Sequence, residues 1–268
     1  MTHMLIFGLG YTAKRLAERL CSEGWTVEAT GSAGELDFMD RDAVLSALGR
    51  ATHVLSSVPP DRASGLDPVL DTYGRDFPEV WYGYLSSTGV YGDMRGAWVD
   101  EHTPTVAETG AGRRNARAEA DALWVKLSAR VFRLPGIYGP GRSAFERIAA
   151  GKARRIDMPG QVFSRVHVDD IVSGVAAALS SDAPAGAYNL ADDLPASGNA
   201  VIEEACRLMG QEPPPLQTLE EANLSEMALG FYSENRRVAN GKAKRILGWE
   251  PRYPTFREGL RACLSDER

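Results

Sequence analysis

The sequence predicts a doubly wound α/β fold, a parallel sheet covered by helices on both faces, with a small and mostly helical C-terminal lobe. Three observations carry that reading. Short apolar runs alternate with helical spacings through the first half of the chain, the order that builds a parallel sheet. The chain opens on strand, glycine turn and helix: Met4-Leu5-Ile6-Phe7, then Gly8-Leu9-Gly10-Tyr11-Thr12-Ala13, then Lys14 to Glu23 with Leu16, Ala17, Leu20 and Cys21 on one face. The 268 residues, 44% hydrophobic and 25% charged, have the length and composition of a globular chain with a substantial core.

Gly8, Gly10 and Ala13 form G-x-G-x-x-A in the strand–turn–helix context this pattern needs before it signifies a dinucleotide. Gly8 permits the tight turn, Gly10 lets the backbone approach a pyrophosphate, and Ala13 allows the helix to pack close on the strand. The amides and positive dipole end of the helix then face the phosphates. Gly8, Leu9, Gly10, Tyr11 and Thr12 are therefore the expected cofactor loop of a Rossmann sheet.

Trp25 to Thr30 reads as the second strand. Its end normally carries an acid that binds the ribose of NAD. Gly31 and Ser32 stand there instead, with neither carboxylate nor arginine, and Thr30 or Ser32 can donate to a 2′-phosphate. NADP is favoured over NAD. Asp37, in Leu36-Asp37-Phe38-Met39-Asp40, either approaches adenine from a third strand or is an exposed turn acid. Asp40 caps a helix bearing Val44 and Leu48. Thr52 to Val58 is the next strand, with Ser57 near its cofactor-side end and His53 a structural residue. Pro59-Pro60-Asp61 breaks the chain before an expected mobile loop, Asp61 to Gly65. A helix over Asp67 to Tyr73 and a strand over Trp81 to Ser86 follow.

The net charge of −6 argues against general binding to nucleic acid or anionic membranes. Cys21, Cys206 and Cys263 are far apart and lack metal spacing, so reduced thiols and no metal site are expected. The N-terminus has no leader-like pattern, and no run of about eighteen apolar residues marks a membrane span. The expectation is a soluble cytoplasmic protein acting on a small molecule.

Four later segments keep a common order with Leu85-Ser86-Ser87-Thr88-Gly89-Val90-Tyr91-Gly92. They are Arg133-Leu134-Pro135-Gly136-Ile137-Tyr138-Gly139-Pro140-Gly141, Arg165-Val166-His167-Val168-Asp169-Asp170, Tyr188-Asn189-Leu190 and Leu247-Gly248-Trp249-Glu250-Pro251. Together these resemble the motifs of the extended short-chain dehydrogenases/reductases, the NAD-dependent epimerase/dehydratase group. The resemblance implies a nicotinamide cofactor, with Pro135 among its contacts, and Ser87 at the substrate oxygen. It also implies a Tyr-x-x-x-Lys pair, in which lysine lowers the pKa of the acid/base tyrosine. Counting back from Glu119 puts Ala111 and Asn115 at those two places. The sequence therefore resembles an atypical subgroup, and Tyr91 and Tyr138 become the nearest candidate proton donors beside an ordered water.

Positive charge gathers where the substrate is expected. Arg113, Arg114 and Arg117 start the long helix that carries the missing pair, Arg142 follows the Gly139-Pro140-Gly141 turn, and Arg165 precedes His167. Arg113, Arg142 and Arg165 are the substrate-binding candidates, and they favour an anionic substrate. Lys152, Arg154 and Arg155 read as an exposed basic loop. His167 and Asp169 start and cap a helix. Helices over Gly198 to Gly210, Leu219 to Leu229, Asn235 to Leu247 and Thr255 to Leu264 should roof the sheet, with Tyr232 and Arg236 as weaker substrate candidates. The expected division is residues 1–140 for the dinucleotide core. Residues 141–268 would complete the sheet, at about 160–192, and form the lobe.

The leading reading is an NAD(P)-dependent oxidoreductase or epimerase-like enzyme moving hydride at an oxygen-bearing carbon. A dinucleotide-binding regulator or redox sensor is the alternative, supported by the missing pair. A sugar-nucleotide epimerase or dehydratase proper is a third reading. Homodimerisation stays open: Ala116, Ala120, Leu123, Trp124 and Leu127 either form such a face or pack on the sheet.

Overall fold

The computed structural model describes residues 2–61, 63–109, 115–181, 183–224 and 226–266, with backbone only at 108, 109, 115, 226–228 and 266. Six strands form the central sheet: β1 (His3–Phe7), β2 (Thr26–Ala29), β3 (His53–Ser56), β4 (Trp81–Ser87), β5 (Arg130–Leu134) and β6 (Gly186–Asn189). Their order is β2-β1-β3-β4-β5-β6, and every neighbouring pair is parallel. Leu36 adds a single parallel bridge to Thr30, so the expected third-strand approach shrinks to one residue pair. From β1 the chain goes to β2 on one side and returns to β3 on the other. That reversal opens a crevice above the carboxyl ends of β1 and β3.

β1 is buried throughout because helices cover both faces. Met4 and Ile6 pack with Leu16 and Leu20 of α1 (Tyr11–Ser22). Leu5 and Phe7 meet Val44 and Leu48 of α2 (Arg41–Arg50) on the other face. Asp40 caps α2 as expected, its Oδ1 accepting from the Ala43 amide at 3.1 Å. Asp67 caps α3 (Pro68–Tyr73) and also accepts at 2.8 Å from the Trp124 indole of α4 (Asn115–Lys126). Trp124 stacks on Tyr84 of β4 at 5.3 Å. Ala120 and Trp124 thus belong to the core, while Leu123 and Leu127 of the same set remain 45% and 36% exposed.

β6 joins the sheet from the second half of the chain. The helix α5 (Val168–Ser180) precedes it, capped by His167, whose Nδ1 accepts from the Asp169 amide. Beyond β5 the chain bends away: Gly136–Tyr138 pairs in parallel with Arg165–His167 as a separate two-stranded piece. The helices α6 (Gly198–Met209) and α7 (Phe256–Asp266) enclose a third core with Tyr138, Phe145, Ile202 and Cys206.

One expectation fails here. Asn235 to Leu247 is helical only over Gly241–Leu247, and Arg237–Val238 pairs instead with Trp98–Val99. The Asn235 side chain bonds Val162 N and Gly160 O across the lobe, and Ser164 Oγ accepts from Val238 N, so this stretch is pulled out straight. Likewise Leu219 to Leu229 begins as a turn, with helix over Glu226–Tyr232. Among the described residues no helix is long and apolar enough to cross a membrane.

Candidate active site

The glycine loop leaves the start of α1 open. Gly8 adopts φ +87°, open to glycine, and a Cβ there would lie 2.9 Å from Val58 Cγ2. Gly10 has an ordinary φ of −92° as the N-cap of α1, and a Cβ on it would meet no atom within 4 Å. No side chain caps α1. The first-turn amides of Tyr11, Thr12 and Ala13, which have no intrahelical acceptor, therefore face the open space beside Gly10. Unsatisfied amides at a helix start are the donor set that suits an anionic group such as a pyrophosphate.

Several loop residues do other work than expected. The amides of Gly8, Leu9 and Gly10 bond Thr30 Oγ1 at 3.2 Å, Thr30 O at 2.8 Å and Gly8 O at 2.8 Å. Thr30 is buried and holds the loop to β2, so its hydroxyl is not a ligand for a 2′-phosphate; Ser32, exposed at that edge, is the remaining hydroxyl. Leu9 offers no amide to a phosphate for the same reason. Ser57 Oγ donates to Gly8 O, bracing the loop from β3. Asp37 is exposed, its carboxylate accepting from Met39 N at 2.9 Å. Tyr11 reaches away from the loop, its hydroxyl donating to Pro140 O at 2.9 Å.

Ser87 ends β4 and caps a short 3₁₀ turn, Thr88–Tyr91, its Oγ accepting from Gly89 N at 3.1 Å. It lines a cavity of about 650 Å³ enclosed between the sheet and the lobe, as do Pro135, Tyr138, Arg142 and Arg165. Neither candidate tyrosine presents a hydroxyl to that cavity. Tyr91 is 1% exposed, its hydroxyl held by Arg133 Nη1 at 3.0 Å and Asn189 Oδ1 at 2.8 Å, and burial pushes its pKa up to about 12. The expectation for Tyr91 as a proton donor is thereby corrected: it belongs to a structural network. Tyr138 shows its ring to the cavity, but its hydroxyl abuts Gly259 of α7, is shut from solvent, and has no hydrogen-bond partner among the described residues. Burial raises its pKa strongly, which makes it a poor acid where it stands.

The network around Tyr91 centres on an ion pair. Arg133 of β5 reaches both oxygens of Asp121 on α4 at 2.7 and 3.1 Å, and Asp121 also accepts from Ser86 Oγ at 2.6 Å. Arg133 and Asp121 are both buried. This pair fastens the helix that carries Asn115 to the two strands ending at Ser87 and Leu134.

The arginines separate by role. Arg113 and Arg114 lie outside the described residues, and so does Ala111. Arg165 is at the cavity but donates to the carbonyls of Phe163 at 2.8 Å, Ala196 at 2.9 Å and Ser197 at 3.3 Å. Its guanidinium is thus committed to the loop at 196–197, and burial draws its pKa down to about 10. Arg142 is aimed by a tight turn, Pro140-Gly141 with φ +72° at Gly141, closed by the reciprocal backbone bonds of Gly139 and Arg142. Its guanidinium lies over the Tyr11 ring, 5.7 Å from the centroid. Arg155 pairs with Glu203 at 2.8 Å, away from the cavity, whereas Arg154 and Arg236 border it.

Sequence reasoning missed two residues, Arg147 and Asp192, and the structural role of a third, Tyr11. Arg147, on the helix Ala144–Ala149, faces the cavity; its place becomes evident only once the Ser143 capping box sets the helix phase. Tyr11 joins the glycine loop to the turn that carries Arg142, a link 129 residues long in sequence. Asp192 follows the Tyr188-Asn189-Leu190 segment and is 2% exposed. Neither of its oxygens has a hydrogen-bond partner among the described residues, and burial lifts its pKa to about 8 against the pull of Arg165.

No family model matches the chain. A 3-diazoavenalumate denitrifying reductase from Streptomyces is 34% identical over 179 residues, a match spanning 60% of this chain and 58% of the relative. A solved structure of a protein of unknown function from Silicibacter pomeroyi is 40% identical, covers 99% of both chains and superposes with a TM-score of 0.86. The same fold recurs at lower identity. Bacillus anthracis dTDP-glucose 4,6-dehydratase in complex with NAD is 16% identical over 99% of this chain and 96% of its own, with a TM-score of 0.76. The human epimerase family protein SDR39U1 with NADPH is 14% identical over 99% and 100%, with a TM-score of 0.77.

Proposed function

We propose, from the premise that the chain belongs to the extended short-chain dehydrogenase/reductase superfamily, that it is an NAD(P)-dependent oxidoreductase or epimerase-like enzyme. Its reaction would move hydride at an oxygen-bearing carbon of a small anionic substrate. The observation that carries this reading is the uncapped start of α1 beside the open space at Gly10, linked through Tyr11 to a cavity bearing Ser87 and Arg142. Tyr11, Thr12 and Ala13 would hold the pyrophosphate through their amides, and Pro135 would flank the nicotinamide half. When bound, the cofactor supplies the hydride donor or acceptor.

Ser87 holds the substrate oxygen, its hydroxyl hydrogen still free while its lone pair accepts from Gly89 N. With Tyr91 and Tyr138 both sealed, the proton comes from water beside Ser87. Losing a positioned acid typically costs roughly 10²–10⁴-fold in rate, so a slow reductase accords with this site. A sugar-nucleotide epimerase or dehydratase proper is disfavoured, because the tyrosine those reactions lean on is absent from position 111. The relative named as a reductase points the same way. NADP remains the favoured cofactor, since no carboxylate at Gly31 or Ser32 repels a 2′-phosphate. The second reading, a dinucleotide-responsive regulator, rests on Ala111 and Asn115 standing where the acid/base pair belongs.

Calorimetric titration with NAD⁺, NADH, NADP⁺ and NADPH tests the proposal. NADPH should bind more tightly than NADH. Failure of all four to bind would refute both the enzyme and the regulator.

A further inference from the structure

We propose that the substrate is a small apolar carboxylate, gripped at its charged end by Arg142 and Arg147 and along its body by the Phe163–Tyr232 wall. The proposal rests on the reading of the cavity as the substrate site.

The argument is an account of the polar groups around the cavity. Ser143 Oγ accepts from Phe145 N and donates to Glu146, and Ser164 Oγ accepts from Val238 N. Glu234 pairs with Arg236 at 2.6 Å, and Arg236 also donates to Gly92 O at 2.7 Å. Arg154 donates to Gly151 O and Ala153 O, and Arg165 to its three carbonyls. Two cations remain. Arg142 and Arg147 are exposed at the cavity, and neither guanidinium has a hydrogen bond or ion pair among the described residues, Arg142 resting only on the Tyr11 ring. Both lie on one short segment, the turn and the helix that follows it.

Apart from the hydroxyls of Ser87, Thr88 and Tyr232, the rest of the lining side chains are apolar. Phe163 and Tyr232 meet edge to face at 5.5 Å, and Val201, Ile202 and Leu260 line the same cavity. No Asn, Gln, Asp or His lines the cavity among the described residues. A nucleobase or a sugar ring needs several neutral donors and acceptors at fixed positions, and burying its hydroxyls here would leave them unpaired. A hydrocarbon body loses nothing against these side chains. Guanidinium forks match a carboxylate through paired N–H groups. The charge balance agrees: among the described residues five arginines border the cavity against two glutamates, Glu146 and Glu234, both already hydrogen-bonded. Anchored at Arg142 and Arg147, such a ligand extends its uncharged end towards Ser87.

The test titrates the full chain, saturated with whichever dinucleotide binds, with 2-naphthoate, its neutral analogue 2-naphthamide, and UDP-glucose. Naphthoate should bind, naphthamide about tenfold more weakly or worse, and UDP-glucose not measurably. Arg142→Gln and Arg147→Gln should each lower naphthoate affinity about tenfold, the effect expected for removing one charge-assisted pair. Arg147→Gln should leave dinucleotide affinity intact, showing that the variant is folded. Equal binding of acid and amide, tighter binding of UDP-glucose, or no naphthoate binding by a protein that takes dinucleotide would each overturn the proposal. If no dinucleotide binds, the functional reading fails instead, and naphthoate titration of the free protein still decides whether the arginines grip a carboxylate.

Discussion

Adding one methyl group to either of two glycines in the same loop should have opposite effects. At Gly10 the backbone has φ −92°, which alanine adopts without strain, and the added Cβ meets nothing within 4 Å. Gly10→Ala therefore keeps the fold: the gain of about 0.4–1 kcal/mol from the unfolded chain's lost freedom is offset by alanine's poorer fit at an N-cap, and Tm should stay within about 3 °C of wild type. The methyl nevertheless occupies the space that the pyrophosphate must enter to reach the amides of Tyr11 and Thr12. Losing two charged hydrogen bonds at about 1.5–3 kcal/mol each predicts a fall in dinucleotide affinity of at least about a hundredfold. Gly8→Ala reverses the pattern: φ +87° and a Cβ 2.9 Å from Val58 Cγ2 make it a folding defect, of about 1–3 kcal/mol. Thermal unfolding and calorimetry of both variants separate the effects. Wild-type affinity in Gly10→Ala would refute the placement of the phosphates over α1.

Three further outcomes follow from the geometry. Asp121→Asn leaves the Arg133 charge buried without its counter-ion and should cost about 3–5 kcal/mol by denaturant unfolding; a loss under about 1 kcal/mol would mean that the pair is well hydrated. Asp192 carries a carboxyl whose pKa burial lifts from 3.8 to about 8, so between those values the folded state holds a proton the unfolded chain has released. Stability should therefore fall as pH rises from about 4 to 8, with Asp170, lifted to about 6, acting in the same sense in the lower part of that range. Asp192→Asn should flatten the fall in Tm above pH 6, and an equally steep fall in the variant would sink the assignment. Tyr11→Phe removes the bond to Pro140 O and should cost about 1 kcal/mol of stability. It should also weaken binding of 2-naphthoate more than binding of dinucleotide, because the freed turn carries Arg142; equal losses would argue against that link.

What the sequence disclosed tracks how local the cause is. The first strand, glycine loop and helix are specified by neighbours, and so is the cap at Asp40, which acts within three residues. Arg237–Val238 went the other way because its partners, Trp98–Val99 and Ser164, are distant in sequence and outweigh the helical spacing around it. The candidate site was legible in residue type and illegible in direction. Tyr91 and Tyr138 belong to the right segments, yet a periodicity says nothing about where a hydroxyl points, and both point into protein. Arg165 shows the same limit, its guanidinium turned to three backbone carbonyls.

The buried Arg133–Asp121 pair anchors the candidate site from within the sheet. In this chain α4 is fixed to β4 and β5 by groups below the site: Asp121 takes Ser86 and Arg133, Arg133 takes Tyr91, and Tyr91 takes Asn189 of β6. Four elements, α4, β4, β5 and β6, are tied together by these bonds. Ser87 is next in sequence to Ser86, so the same ties hold the end of β4 where the cavity begins. The consequence is specific: disrupting Asp121 unfastens the strand ends on which any chemistry at this site depends.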